Sequence, residues 1–113
     1  MSSPWPTKLS FSKSRKTLHI RFEDGQDFGL PYELLRVESP SAEVQGHHAS
    51  QKKLVTGKAD VDIVEAEPVG RYAVRLKFDD GHSSGIFSWS YLYELGLDGD
   101  AILQRYRAAV ASL

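Results

Sequence analysis

The chain contains no cysteine. That excludes a disulfide framework, a thiolate metal centre and a cysteine nucleophile. No apolar run is long enough to cross a bilayer, and residues 1–6, with two prolines and two serines, lack the apolar stretch of a signal peptide. A cytoplasmic protein is therefore expected. Neither sign of charge is in excess. Fourteen Lys and Arg stand against fifteen Asp and Glu, a net charge of -1, so nothing draws the chain as a whole toward nucleic acid or an anionic membrane. There is no phosphate loop, no dinucleotide fingerprint and no Gly-x-Ser-x-Gly elbow. No nucleophile–base pair is legible, and the expectation is a protein that is not an enzyme.

What is present suits a small folded domain. The 113 residues are 41% hydrophobic and 26% charged, enough apolar side chain for one core. Residues 1–6 read as a loose lead-in and 7–113 as a single domain. Lys8 to Ser12 alternates as a short strand, and Lys13 to Lys16 is a polar turn. From Thr17 to Glu23, Leu18, Ile20 and Phe22 fall on one side and His19, Arg21 and Glu23 on the other. Asp24-Gly25 is a hairpin turn, Phe28 to Leu30 returns, and Pro31 suits the first turn of a helix carrying Tyr32, Leu34 and Leu35.

This pattern repeats. Asp60 to Val69 starts as a strand and loses phase near Val64–Ala66, which predicts a bulge, with Pro68 ending the strand or placing it at an edge. Tyr72 to Phe78 puts Val74, Leu76 and Phe78 inward and Arg75 and Lys77 outward. Asp80-Gly81 turns, and Gly85 to Phe87 pairs back. Ser88 caps a helix that Gly96 is expected to stop, and Asp98 or Asp100 then caps a last one. In that helix Ile102, Leu103, Tyr106, Val110 and Leu113 share a face, with Arg105 and Arg107 toward water. Two hairpin-plus-helix copies sharing a small, mostly antiparallel sheet, followed by a C-terminal helix, give an α+β fold. Aligning Tyr32 with Trp89 needs one inserted residue. The copies are joined by residues 38–58, which follow no period. A connection that long in a small domain marks a functional or mobile loop.

Candidate chemistry is sparse. Asp79-Asp80 is a carboxylate pair in a turn, where aspartate favours the backbone geometry. Of the four histidines, His19 faces outward on a strand, and His47 and His48 are neighbours whose side chains diverge on an extended chain. His82 follows a turn glycine. A metal site would need His82, His47 or His48 and a carboxylate such as Glu43. His19, Arg21, Arg75 and Lys77 form a basic platform if their two strands lie close together. Trp5, Tyr91 or Tyr93 could be exposed for association, although a monomer is expected.

The stretch Phe78-Asp-Asp-Gly-His-Ser-Ser-Gly-Ile-Phe-Ser-Trp-Ser-Tyr-Leu-Tyr-Glu-Leu-Gly96 resembles the signature of the γ-butyrobetaine hydroxylase-like N-terminal domain family. So does Leu34-Leu-Arg-Val-Glu-Ser-Pro-Ser-Ala-Glu-Val-Gln-Gly-His47, and Thr56-Gly-Lys, Val61–Ile63 and Glu67-Pro-Val-Gly70 match its small stand-alone bacterial members. The resemblance implies a small α+β domain. That domain occurs as the non-catalytic N-terminal part of iron- and 2-oxoglutarate-dependent oxygenases, joined to P-loop carriers of iron–sulfur clusters, and free-standing. It also implies a structural zinc position in the oxygenases, held by three cysteines and a histidine. The histidine falls on His82 and the cysteines on Ser39, Ser41 and Val44; this departure from the family pattern removes the zinc site, and hydrogen bonding by Ser39 and Ser41, with His82 anchored nearby, is the expected replacement. No cofactor is expected.

Two functional expectations follow. The first is a non-catalytic interaction or accessory domain that uses Glu43, Gln45, His47, His48 and the outward Arg21 and Arg75. Its partner would be an iron–sulfur carrier or an oxygenase. The second is a metal- or small-ligand-binding protein built on His82 and the 38–58 loop.

Overall fold

The computed structural model describes residues 4–40, 56–81 and 85–113. Strands β1 (Pro6–Ser12), β2 (Thr17–Phe22) and β3 (Asp27–Pro31) form one antiparallel sheet in that order, followed by helix α1 (Tyr32–Val37). Strands β4 (Ile63–Val69), β5 (Ala73–Phe78) and β6 (Gly85–Ser88) form a second, followed by helix α2 (Trp89–Ala111). The protein is α+β, and the repeat is complete: three strands and a helix, twice. The expected shared sheet is instead two three-stranded sheets. Each hairpin gains its third strand from the residues just before it, so each copy closes its own ladder.

The copies meet through their apolar faces. Leu18, Ile20 and Phe22 of β2, Val74, Leu76 and Phe78 of β5, Leu34 and Leu35 of α1, and Leu92, Leu95 and Leu103 of α2 belong to one buried cluster. Each such burial contributes about 1.5–3 kcal/mol. The two turns match closely. The Gly25 N–H bonds the Phe22 carbonyl at 3.0 Å and the Gly81 N–H the Phe78 carbonyl at 3.2 Å. Both glycines sit near φ +90°, where an L side chain is strained.

Several local expectations hold. The register of β4 on β5 shifts between Ile63 and Glu65, which is the bulge. Pro68 lies within β4, an edge strand, where its missing N–H is tolerated. The Ser88 hydroxyl accepts the Tyr91 N–H and caps α2. Pro31 stands one residue earlier than expected, closing β3 and preceding the first turn of α1.

Gly96 does not stop a helix. Helix α2 runs unbroken over 23 residues, and Asp98 and Asp100 are exposed within it rather than capping a second one. The glycine answers to packing. A Cβ at Gly96 would lie 2.4 Å from the Phe28 ring, and one at Gly99 would lie 2.9 Å from Leu34 Cδ2. These contacts seat α2 on β3 and on α1. Of the expected C-terminal face, Leu103 is buried, Ile102 and Tyr106 pack on the core, and Leu113 is exposed.

Candidate functional site

The end of α1, residues 56–60, the β5–β6 turn and the start of β6 come together. Arg36, in the last turn of α1, is only 3% exposed, and its Nε donates to Asp80 Oδ2 at 2.9 Å. Lys58 Nζ donates to the same oxygen. Asp80 is held in place by its turn, so one carboxylate ties three chain segments together. Taking charges out of water is costly, and a shared, well-placed counter-charge offsets that cost. Beside this cluster the Tyr91 hydroxyl donates to the Glu38 carbonyl, joining α2 to the end of α1. Burial, reinforced by the nearby Glu38 and Glu94 carboxylates, pushes the Tyr91 phenol well above its ordinary range.

Ser39 is fully buried, and its Oγ lies against Gly85, where a Cβ would stand only 2.7 Å away. Helix α1 therefore ends directly against the first residue of β6. One turn earlier in α1, Glu33 accepts two hydrogen bonds from Arg107, at 2.7 and 3.2 Å. Arg107 thus spends its charge on a nearly buried carboxylate rather than facing water alone, as the helical pattern suggested.

Among the sequence candidates, Ser39 is in this junction. Ser41, Glu43, Val44, Gln45, His47, His48 and His82 lie outside the described residues. The described ends of their segments, Pro40, Thr56, Gly81 and Gly85, all flank the junction. Arg21 and Arg75 do not form one platform. They belong to different sheets, and each pairs with a carboxylate of its own sheet: Arg21 with Asp27 at 3.1 Å and Arg75 with Glu67 at 2.8 Å. Trp5 is exposed, whereas Tyr91 and Tyr93 pack against the core with bonded hydroxyls. The donor set does not fit a thiolate zinc centre, because position 39 offers a hydroxyl wedged against Gly85 and the chain has no cysteine. Sequence reasoning took Asp80 for a turn residue alone and did not find its role with Arg36 and Lys58. Those partners lie 44 and 22 residues away, and no local pattern links them.

No helix among the described residues is long and apolar enough to cross a membrane. Comparison with curated proteins finds no match. Among solved structures, two solution NMR structures are similar. One is 44% identical with a TM-score of 0.84, covering 98% of this chain and 83% of the other. The second is 46% identical with a TM-score of 0.82, covering 98% and 87%. A crystal structure of a protein of unknown function from Acidithiobacillus ferrooxidans, described as belonging to the DUF971 family, is 39% identical with a TM-score of 0.71. It covers 84% of this chain and 98% of that one. The family model described as gamma-butyrobetaine hydroxylase-like, N-terminal, matches residues 9–93, most of both β-sheets and both helix starts, and the chain belongs to that family.

Proposed function

We propose that this protein is a non-catalytic accessory domain that binds a protein partner, and that the partner is an iron–sulfur carrier or an oxygenase. The observation that carries the reading is the junction. The Arg36–Asp80–Lys58 cluster and the Ser39–Gly85 contact join the described residues that flank 41–55 and 82–84. The contact residues expected from the sequence, Glu43, Gln45, His47, His48 and His82, belong to those two segments. A base anchored by the buried Arg36 and Ser39 lowers the cost of ordering a binding surface. Family membership supports the same reading, since the resemblance implies a domain that accompanies catalytic or carrier domains rather than performing their chemistry. The protein would work in the cytoplasm, as a monomer until it meets its partner.

The test is titration of the purified protein with an iron–sulfur carrier or a 2-oxoglutarate oxygenase under anaerobic conditions, read by calorimetry. Binding that weakens at least tenfold when Glu43, His47 and His48 are all changed to Ala supports the reading. Binding that is absent, or indifferent to those changes, overturns it.

A further inference from the structure

The outward face of the first sheet carries an arrangement that the fold alone does not call for. Lys8 of β1 stands directly across from Arg21 of β2, and Ser10 stands across from His19. Like charges directly opposite each other on neighbouring strands are destabilising. On the far side of β2, Arg21 pairs with Asp27 and His19 with Gly29. Ser10 and Gly29 are small, so the middle of the face is open. A Cβ at Gly29 would meet the His19 ring at 3.6 Å, which places that ring over the glycine. The result is a concavity of about 250 Å³ lined by Lys8, Ser10, His19, Ile20, Arg21 and Asp27.

Asp27 Oδ2 holds Arg21 Nη2 at 3.1 Å and orients the guanidinium. Among the described residues, that is the one side-chain hydrogen bond Arg21 makes, and the side chains of Lys8 and His19 make none. Glu23, one residue past the end of β2, accepts the Trp5 N–H at 3.2 Å. With two fixed cations and one carboxylate, the concavity keeps an excess of positive charge. The donors are of three kinds: a guanidinium, an ammonium and an imidazole, with the Ser10 hydroxyl beside them.

We propose that this face is an anion site for a phosphate group, either free phosphate or a small phosphate monoester. A tetrahedral dianion would accept from the guanidinium N–H groups not facing Asp27, from Lys8 Nζ and from His19, and it would relieve the repulsion between Lys8 and Arg21. Charge-assisted bonds to a guanidinium and an ammonium are what phosphate recognition requires. The site is shallow and exposed, so binding is weak and salt-sensitive. It lies away from the junction at the end of α1 and does not depend on the accessory role proposed there.

The test is a titration of the ¹⁵N-labelled protein with inorganic phosphate, and in a second arm with glycerol phosphate, at constant ionic strength with chloride as the control. Saturable shifts centred on the amides of Lys8, Ser10, His19, Arg21 and Gly29 are expected. They should weaken at least tenfold in Lys8→Gln/Arg21→Gln, whose exposed positions leave the core untouched. Tighter binding of the monoester identifies an esterified ligand, and equal affinity identifies the free ion; both support the site. Shifts that do not saturate, that appear equally with chloride, or that persist in the double variant overturn it.

Discussion

Replacing Gly96 by Ala should destabilise the protein, although helix propensity predicts the reverse. In an exposed helix interior the change is worth about 1 kcal/mol in favour of alanine. Here the new Cβ would lie 2.4 Å from both Cγ and Cδ2 of Phe28, so the ring must move by about 1 Å to restore ordinary contact. That ring is hemmed in. It meets Phe22 edge-on at a centroid distance of 6.0 Å and Tyr93 at 5.5 Å. Overpacking costs about 1–3 kcal/mol, and disturbing each aromatic pair costs a further ~0.5–1.5 kcal/mol. Less the ~1 kcal/mol gain in propensity, the net expectation is a loss of about 1–5 kcal/mol, seen as a fall of at least roughly 4 °C in Tm. Thermal and urea unfolding would measure it. The decisive comparison is the same substitution in a Phe28→Ala background, where the obstacle is gone and Gly96→Ala should stabilise by up to ~1 kcal/mol. If Gly96→Ala matched or exceeded the parent protein's stability with Phe28 intact, the close-approach account of this glycine would be refuted.

Other perturbations separate the remaining contacts. Asp80→Ala removes the carboxylate facing the buried Arg36 and should cost about 2–4 kcal/mol in urea unfolding, whereas Arg75→Gln, which breaks an exposed pair with Glu67, should cost less than ~1 kcal/mol; equal effects would contradict the anchoring role. Tyr32→Phe should be neutral or stabilising, because the buried Tyr32 hydroxyl has no hydrogen-bond partner among the described residues, while Tyr91→Phe should cost about 1 kcal/mol through the lost bond to Glu38. Stability should also fall above pH 10. The folded state keeps the Tyr91 proton to higher pH than the unfolded chain, whose phenol titrates near 10.0, so the contribution is full below that pH and declines as pH rises above it. Tyr91→Phe should flatten the decline in melts between pH 8 and 11.5. Metal analysis after chelator treatment should find no retained zinc; one equivalent held would overturn the reading of position 39.

The strands were legible because their alternation is strict. Leu18, Ile20 and Phe22 are all buried, and the lost phase after Ile63 corresponds to a real bulge. Ser88 was legible as a cap because its role is local. Gly96 was misread because a glycine that ends a helix and one that admits a neighbouring ring look alike in sequence. Only the approach of Phe28, 68 residues earlier, tells them apart. Distance in sequence also hid the pairs that anchor α1, Arg36 with Asp80 and Glu33 with Arg107, which are 44 and 74 residues apart. The basic platform failed for a related reason. The outward faces of β2 and β5 were read correctly strand by strand, but their division into two sheets is a property of pairing. Of the candidate site, Ser39 could be placed from its resemblance to a family ligand position, and the structure sets it against β6.

The central proposal, a partner-binding accessory domain, is tested most directly by capture from a native cell extract prepared without oxygen, with mass spectrometry of what is retained. An iron–sulfur carrier or an oxygenase should be enriched on the immobilised protein and lost when residues 43–50 are replaced by Gly and Ser. Retention of neither, or the same proteins held equally by both forms, would contradict the account.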